Sequence, residues 1–93
     1  MIRRNRRPTQ PGAILRAHYL EPRGLTVSGF AGTLDVSRKH LSEVLNGRAR
    51  ISPLLAVKLA RALDTTPAFW LNLQNAVDIW DAEKAFGETP SAA

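Results

Sequence analysis

The residue types that hydrolytic enzymes use meet at one place in this chain of 93 residues. Asp35, Ser37 and His40 offer a carboxylate, a hydroxyl and an imidazole within one short segment. Ser37, however, stands where it would cap a helix, and Ser37 and His40 lie within one helical turn with no oxyanion loop nearby. We therefore expect no enzymatic activity, and we interpret His40 as a surface residue and His18 as a helix-surface or half-buried residue.

Metal, cofactor and membrane chemistry are equally poorly supported. The sequence has no cysteine, and its two histidines are too few and too far apart for a metal cluster. No stretch approaches the roughly 18 apolar residues that would span a bilayer, and the N-terminal MIRRNRRPTQPG does not lead into the apolar run of a secretory signal. We expect a cytoplasmic protein without a metal, cofactor, small-molecule substrate or membrane partner.

Charge is the stronger signal, because the net +5 is spread unevenly. Residues 1 to 61 carry 12 basic and three acidic side chains, a balance of +9, whereas residues 62 to 93 carry a balance of −4. A basic body favours a polyanionic partner, and an acidic end favours protein contact or a solvating tail. Chance surface charge is the alternative.

Helical periodicity, caps and first-turn prolines predict an all-α fold of five helices, with no strand-like alternation. Pro11 opens the first helix, which ends before Glu21-Pro22. The remaining helices are predicted from Thr26 to Leu34, from Ser37 to Leu45, from Ser52 to Leu63 and from about Ala68 to Glu83.

The segment from Thr26 to Gly47 has the layout of a helix-turn-helix. Ala31 lies where the two helices would cross, Val36 fills the turn, and Leu41 anchors the second helix inward. This predicts a DNA-binding and dimerisation domain over residues 11–84, between a basic disordered arm at 1–10 and a flexible tail at 85–93.

Within that frame, the exposed face of the second helix points at the major groove, where long donors suit guanine edges and a carboxylate accepts from cytosine N4. The predicted base-reading residues are Arg38, Lys39, Ser42 and Glu43, with Arg38 and Lys39 preferred. The surface residue His40 would then lie beside the DNA. Short hydroxyls, helix N-termini and cations bind phosphate, which predicts backbone contacts by Thr26, Ser28, Ser37, Asn46, Arg48 and Arg50. Simple solvation of these side chains is the alternative, and the N-terminal arginines fit a minor-groove contact and an inert tail about equally well.

The fifth helix is apolar around most of its circumference, more than one small domain can bury. It predicts homodimerisation through Trp70, Leu73, Val77 and Trp80. Two-fold pairing would set the recognition helices about 34 Å apart on an inverted-repeat operator. The alternative is that both tryptophans complete the monomer core.

Three runs of the sequence, RPTQPGAILRAHYLEPRGLTVSGFA, VSRKHLSEVLNGRARIS and TTPAFWLNLQNAVDIW, resemble the HigA family of antitoxins from type II toxin–antitoxin modules. The resemblance covers about Arg7 to Trp80. It implies a phage-repressor-like (Xre-type) helix-turn-helix with the C-terminal helix extended for dimerisation, and it places the recognition positions on the same four residues of the second motif helix.

The resemblance also implies function: a homodimer that binds operator DNA, represses its own operon and neutralises a HigB toxin, a RelE-like mRNA endonuclease. The sequence departs from the family pattern at Ala13, Gly29, Gly32 and Asp35, which bears on the second helix and on toxin contacts rather than on the fold. A stand-alone repressor without a toxin, and a protein-binding module that has lost DNA binding, are the alternatives.

Overall fold

A computed structural model describes residues 6–87 of the chain, and every regular element in that range is helical. Helix α1 is α-helical over Pro11–Leu15 and continues as a π-helical turn over Arg16–Leu20. The other helices are α2, Val27–Leu34; α3, Arg38–Leu45; α4, Pro53–Leu63; and α5, Pro67–Gly87. The all-α prediction of five helices is confirmed.

Side-chain caps fix where the helices begin. The hydroxyl oxygens of Thr26, Ser37 and Ser52 accept the backbone N–H three residues on, at 3.0, 3.0 and 3.1 Å, as their sequence positions predicted. Thr66 does the same for α5, accepting from the N–H of Phe69 at 3.1 Å. Local sequence therefore determines where four of the five helices begin.

The crossing of α1 over α3 places α3, the second helix of the helix-turn-helix, against the body of the domain, and Gly12 permits this crossing. A Cβ at Gly12 would overlap the carbonyl oxygen of Val44 and lie 2.8 Å from the Cα of Leu45. Only a residue without a side chain lets the two backbones approach this closely. Leu15, Leu41 and the other apolar faces then close one core beneath the crossing.

Helix α5 extends beyond its predicted end at Glu83 and reaches Gly87. Glu83, Lys84 and Ala85 are good helix formers, and no proline follows until Pro90. The helix thus crosses the predicted boundary between domain and tail at 84/85. No helix in the described range is both long and apolar enough to cross a membrane.

The predicted N-terminal arm lies only partly within the described residues. Residues 1–5, including Arg3 and Arg4, fall outside them, as does the end of the predicted tail at 88–93. Arg7 makes a two-pronged ion pair with Asp81 of α5, with Nε and Nη2 donating at 2.8 and 2.7 Å. The arm is therefore tied to α5 at this point.

Two of the residues predicted to form the dimer interface are instead core residues. The side chains of Trp70 and Val77 are 0% and 1% exposed. The Trp70 indole N–H donates to Thr65 Oγ1 at 2.7 Å, and its ring packs against Tyr19 with centroids 5.5 Å apart. Neither side chain has surface left for a second chain, so the alternative, completion of the monomer core, holds for Trp70.

Candidate nucleic-acid interface

Three contacts fix the conformation of the turn between α2 and α3. Asp35 adopts a left-handed conformation, φ 56°, which aspartate tolerates better than most residues, and the N–H of Val36 returns to the carbonyl of Ala31 at 3.1 Å. Lys58 of α4 donates to the carbonyl oxygen of Asp35 at 3.0 Å. Val36 packs half-buried against the core. The orientation of α3 relative to α2 is thereby fixed.

The four predicted base-reading residues differ in accessibility. Arg38 and Lys39, at the N-terminus of α3, are exposed, whereas Ser42 and Glu43, a turn later, are half-buried. Access is therefore greatest at the end of α3 that a helix-turn-helix inserts into the groove.

Arg38 has a partner that its sequence position did not reveal. Its Nε donates to the hydroxyl oxygen of Ser28 on α2 at 2.9 Å. This bond engages Nε and leaves the two terminal nitrogens, at the tip of the guanidinium fork, for other acceptors. Ser28, predicted as a phosphate contact, thus restrains the direction of Arg38.

All six predicted phosphate-contact residues are exposed, but their surroundings differ. Thr26 and Ser37 use an oxygen lone pair as helix caps and keep the hydroxyl hydrogen as a donor. Asn46 Oδ1 accepts from Nη2 of Arg16 at 3.4 Å. Arg48 lies exposed in the segment after α3.

Arg50 differs from the other predicted phosphate contacts because it pairs with a carboxylate. Its Nη1 lies 2.5 Å from Oδ1 of Asp78 on α5. The side chain remains 67% exposed, so its guanidinium is accessible to solvent while paired. A phosphate would have to share or replace Asp78 as its partner.

Sequence reasoning missed Gln74, the residue that joins this segment to α5. Gln74 is 6% exposed; its Oε1 accepts the backbone N–H of Ile51 at 3.0 Å and its Nε2 donates to Asp78 Oδ1 at 3.1 Å. An amide on the same helical face as Trp70 and Val77 was the available signal, since polar groups on a core face need partners.

Ion pairs also change the interpretation of the acidic C-terminal segment. The hydrogen bond from Arg50 holds the pKa of Asp78 below its usual range, with a further contribution from Gln74, and Arg7 lowers the pKa of Asp81 in the same way. Two carboxylates of α5 thus bind arginines of the basic N-terminal part. The two charge regions contact each other at these points rather than facing only separate partners.

The structure places no group of three or more histidine, cysteine or acidic side chains suited to a metal ion between residues 6 and 87. The hydroxyl of Ser37, considered above as a nucleophile, caps α3 by accepting from the His40 backbone. The Ser37 hydroxyl oxygen therefore serves as a helix cap.

The helix-turn-helix family matches residues 17–70 of the chain. Antitoxin HigA-1 of Vibrio cholerae is 42% identical over 88 residues, which cover 95% of this chain and 83% of that protein. An uncharacterized HTH-type transcriptional regulator of Haemophilus influenzae is 50% identical over 78 residues, covering 84% of this chain and 73% of that protein. Among solved structures, the Pseudomonas aeruginosa antitoxin HigA with the higBA promoter superposes with a TM-score of 0.84 at 30% identity, covering 94% of this chain and 100% of that one.

Proposed function

The chain belongs to the HigA family of helix-turn-helix antitoxins and regulators, which are not enzymes, and on that premise we propose that it is the antitoxin and autorepressor of a type II module. As a homodimer it binds an inverted-repeat operator, represses its own operon in the cytoplasm and neutralises a HigB-type toxin. The observation that carries the DNA-binding part is the exposed N-terminus of α3, where Ser28 directs Arg38.

Base reading is assigned to the exposed side of α3. Arg38 is the principal contact, because its two terminal nitrogens match the O6 and N7 acceptors of guanine. Lys39 is a second donor at the same end of the helix. Ser42 and Glu43 lie half-buried a turn later, where Glu43 can accept from cytosine N4.

Phosphate contacts surround this reading surface. Thr26 and Ser37 offer hydroxyl donors at the N-termini of α2 and α3, where the helix dipoles favour an anion. Asn46, Arg48 and Arg50 add donors after α3. These contacts set affinity and register without reading sequence.

The dimer interface is assigned to the part of α5 that the core leaves uncovered. Leu73 and Trp80, seven residues apart, are half-buried, and Ile79 is 57% exposed. Residues seven apart lie on one side of a helix, so Leu73 and Trp80 share a face, and Ile79 extends the apolar surface around the helix next to Trp80. Pairing along it would present two α3 helices to successive major grooves.

Two relatives support different versions of this function. HigA-1 is an antitoxin, which favours a toxin partner, whereas the Haemophilus relative is an uncharacterized transcriptional regulator, which is compatible with a stand-alone repressor. Co-expression with the product of the adjacent gene separates the two. The antitoxin version predicts that the adjacent product arrests growth alone, and that this chain relieves the arrest and co-purifies with it. A harmless neighbour that does not bind the chain leaves the stand-alone repressor.

A further inference from the structure

Gln74 is a buried polar residue whose amide is used at both ends. It lies on the core side of α5, and its side chain connects the N–H of Ile51, 23 residues earlier, with the carboxylate of Asp78 one turn later. Burying an amide is unfavourable unless its hydrogen bonds are made, and here both are made. An apolar side chain would fill the same space, so the amide has a role beyond packing.

The contact fixes the segment that carries two of the proposed phosphate-binding arginines. Arg48 and Arg50 lie between α3 and α4, and Ile51 follows them directly. At the start of the segment, the N–H groups of Arg48 and Ala49 both return to the carbonyl of Glu43, at 2.8 and 3.2 Å. At its end, the Ile51 side chain is buried and its N–H is held by Gln74.

Asp78 fixes the orientation of the Gln74 amide group. Because Asp78 accepts from Nε2, the carbonyl end of the amide faces Ile51, where an acceptor is needed. The same carboxylate oxygen holds Arg50. Backbone and side chain of the segment are therefore attached to α5 through adjacent bonds.

We propose that Gln74 is a positioning residue for DNA binding, which holds the segment from Arg48 to Ile51 in its binding conformation before DNA arrives. The inference rests on the operator binding proposed above. Gln74 touches no DNA; it acts by removing freedom that the segment would otherwise lose on binding. If one backbone residue of the segment lost this restraint, it would have to become ordered when DNA binds. The loss of its conformational entropy would lower the affinity for DNA about tenfold.

The test compares Gln74→Met with Val77→Ala. Methionine keeps the length of the side chain and removes both hydrogen bonds, whereas Val77→Ala opens the core on the same helix, three residues on, without touching the segment. Operator affinity is measured for the folded fraction of each variant. Gln74→Met should bind about tenfold more weakly than the wild type, and Val77→Ala should bind as the wild type does. Equal affinities for wild type and Gln74→Met, or equal losses in both variants, would overturn the proposal.

If Gln74→Met does not fold, amide hydrogen exchange of the wild-type protein tests the positioning role of Gln74 instead. Amide hydrogen exchange of Ile51 should be slow in the free protein and nearly unchanged on the operator. An Ile51 amide that exchanges freely without DNA and becomes protected only in the complex would refute positioning in advance. Failure of the wild type to bind upstream DNA would instead refute the proposed function, and would do so whatever the Ile51 exchange shows.

Discussion

Removing the Ser28 hydroxyl should weaken operator binding through Arg38 and not through the DNA backbone. Ser28 accepts from Nε of Arg38 at 2.9 Å and so restrains the torsions that aim the guanidinium tip. An immobilised long side chain loses about 0.5–1.5 kcal/mol of freedom at an interface. Because both groups are exposed, only part of the larger value is expected. Ser28→Ala should therefore weaken specific binding by about 1 kcal/mol, or roughly fivefold.

A double-mutant cycle on operator and random DNA separates this role from a phosphate contact. Arg38→Ala should lose about 1–3 kcal/mol on the operator and little on random DNA. In the Arg38→Ala background, Ser28→Ala should then have almost no further effect, which gives a coupling energy of about 1 kcal/mol. Ser28→Thr, which keeps the hydroxyl, is the matched control and should bind nearly as the wild type does.

The reasoning would be refuted by additive losses in the cycle. Additivity would mean that Ser28 acts without Arg38, most simply as a direct phosphate ligand. An equal loss on operator and random DNA after Ser28→Ala would lead to the same conclusion. Fluorescence anisotropy with labelled duplexes at one fixed salt concentration gives all the required dissociation constants.

Three further predictions concern the dimer, the glycines and acid stability. Trp80→Glu places a charge on the proposed dimer interface and should give a monomer by light scattering, with thermal unfolding run to verify that the variant folds. A folded variant that remains a dimer would show that the interface lies elsewhere. Gly12→Ala should destabilise the fold by about 1–3 kcal/mol or more, because the new Cβ would overlap backbone atoms of α3. Gly32→Ala is the control: its position is helical, exposed and surrounded by open space, so it should stabilise the fold by about 0.5–1 kcal/mol. Equal effects of the two variants in denaturant titrations would contradict the α1–α3 packing. Pairing lowers the pKa of Asp78 and Asp81 in the folded state, so their stabilisation is present above the ordinary aspartate pKa and is lost as the pH falls below about 4. Replacing both by asparagine should flatten the fall of the melting temperature in acid, and an unchanged pH profile would show that the pairs do not stabilise the fold.

Local signals in the sequence predicted the helical framework because caps and first-turn prolines act within a few residues. Thr26, Ser37 and Ser52 each bond to an N–H three residues on, a distance over which sequence and geometry are directly linked. Periodicity on α5 was less informative, because a helix that is apolar all round does not show which side meets its own core. Burial beside Tyr19 and Thr65 assigned Trp70 to that core.

Contacts between distant segments could not be predicted from the sequence. Gln74 reaches Ile51 across 23 residues, and Arg50 reaches Asp78 across the division between basic and acidic regions. Segment charges predict attraction to partners in general, and only the folded structure, which brings Arg50 beside α5, reveals that the nearest partner is within the same chain. For the same reason, the Ser28–Arg38 bond depends on the α2–α3 angle rather than on either residue type.

The salt dependence of binding to the DNA upstream of this gene tests the central claim most directly. If Arg48 and Arg50 of each protomer in a dimer contact phosphate, four contacts give a slope of about −3.6 in log K against log salt. Binding to the inverted repeat should then weaken by roughly 100-fold between 50 and 200 mM salt. A flat salt response, or no preference for the inverted repeat over random DNA, would contradict the assignment of this chain as an operator-binding protein.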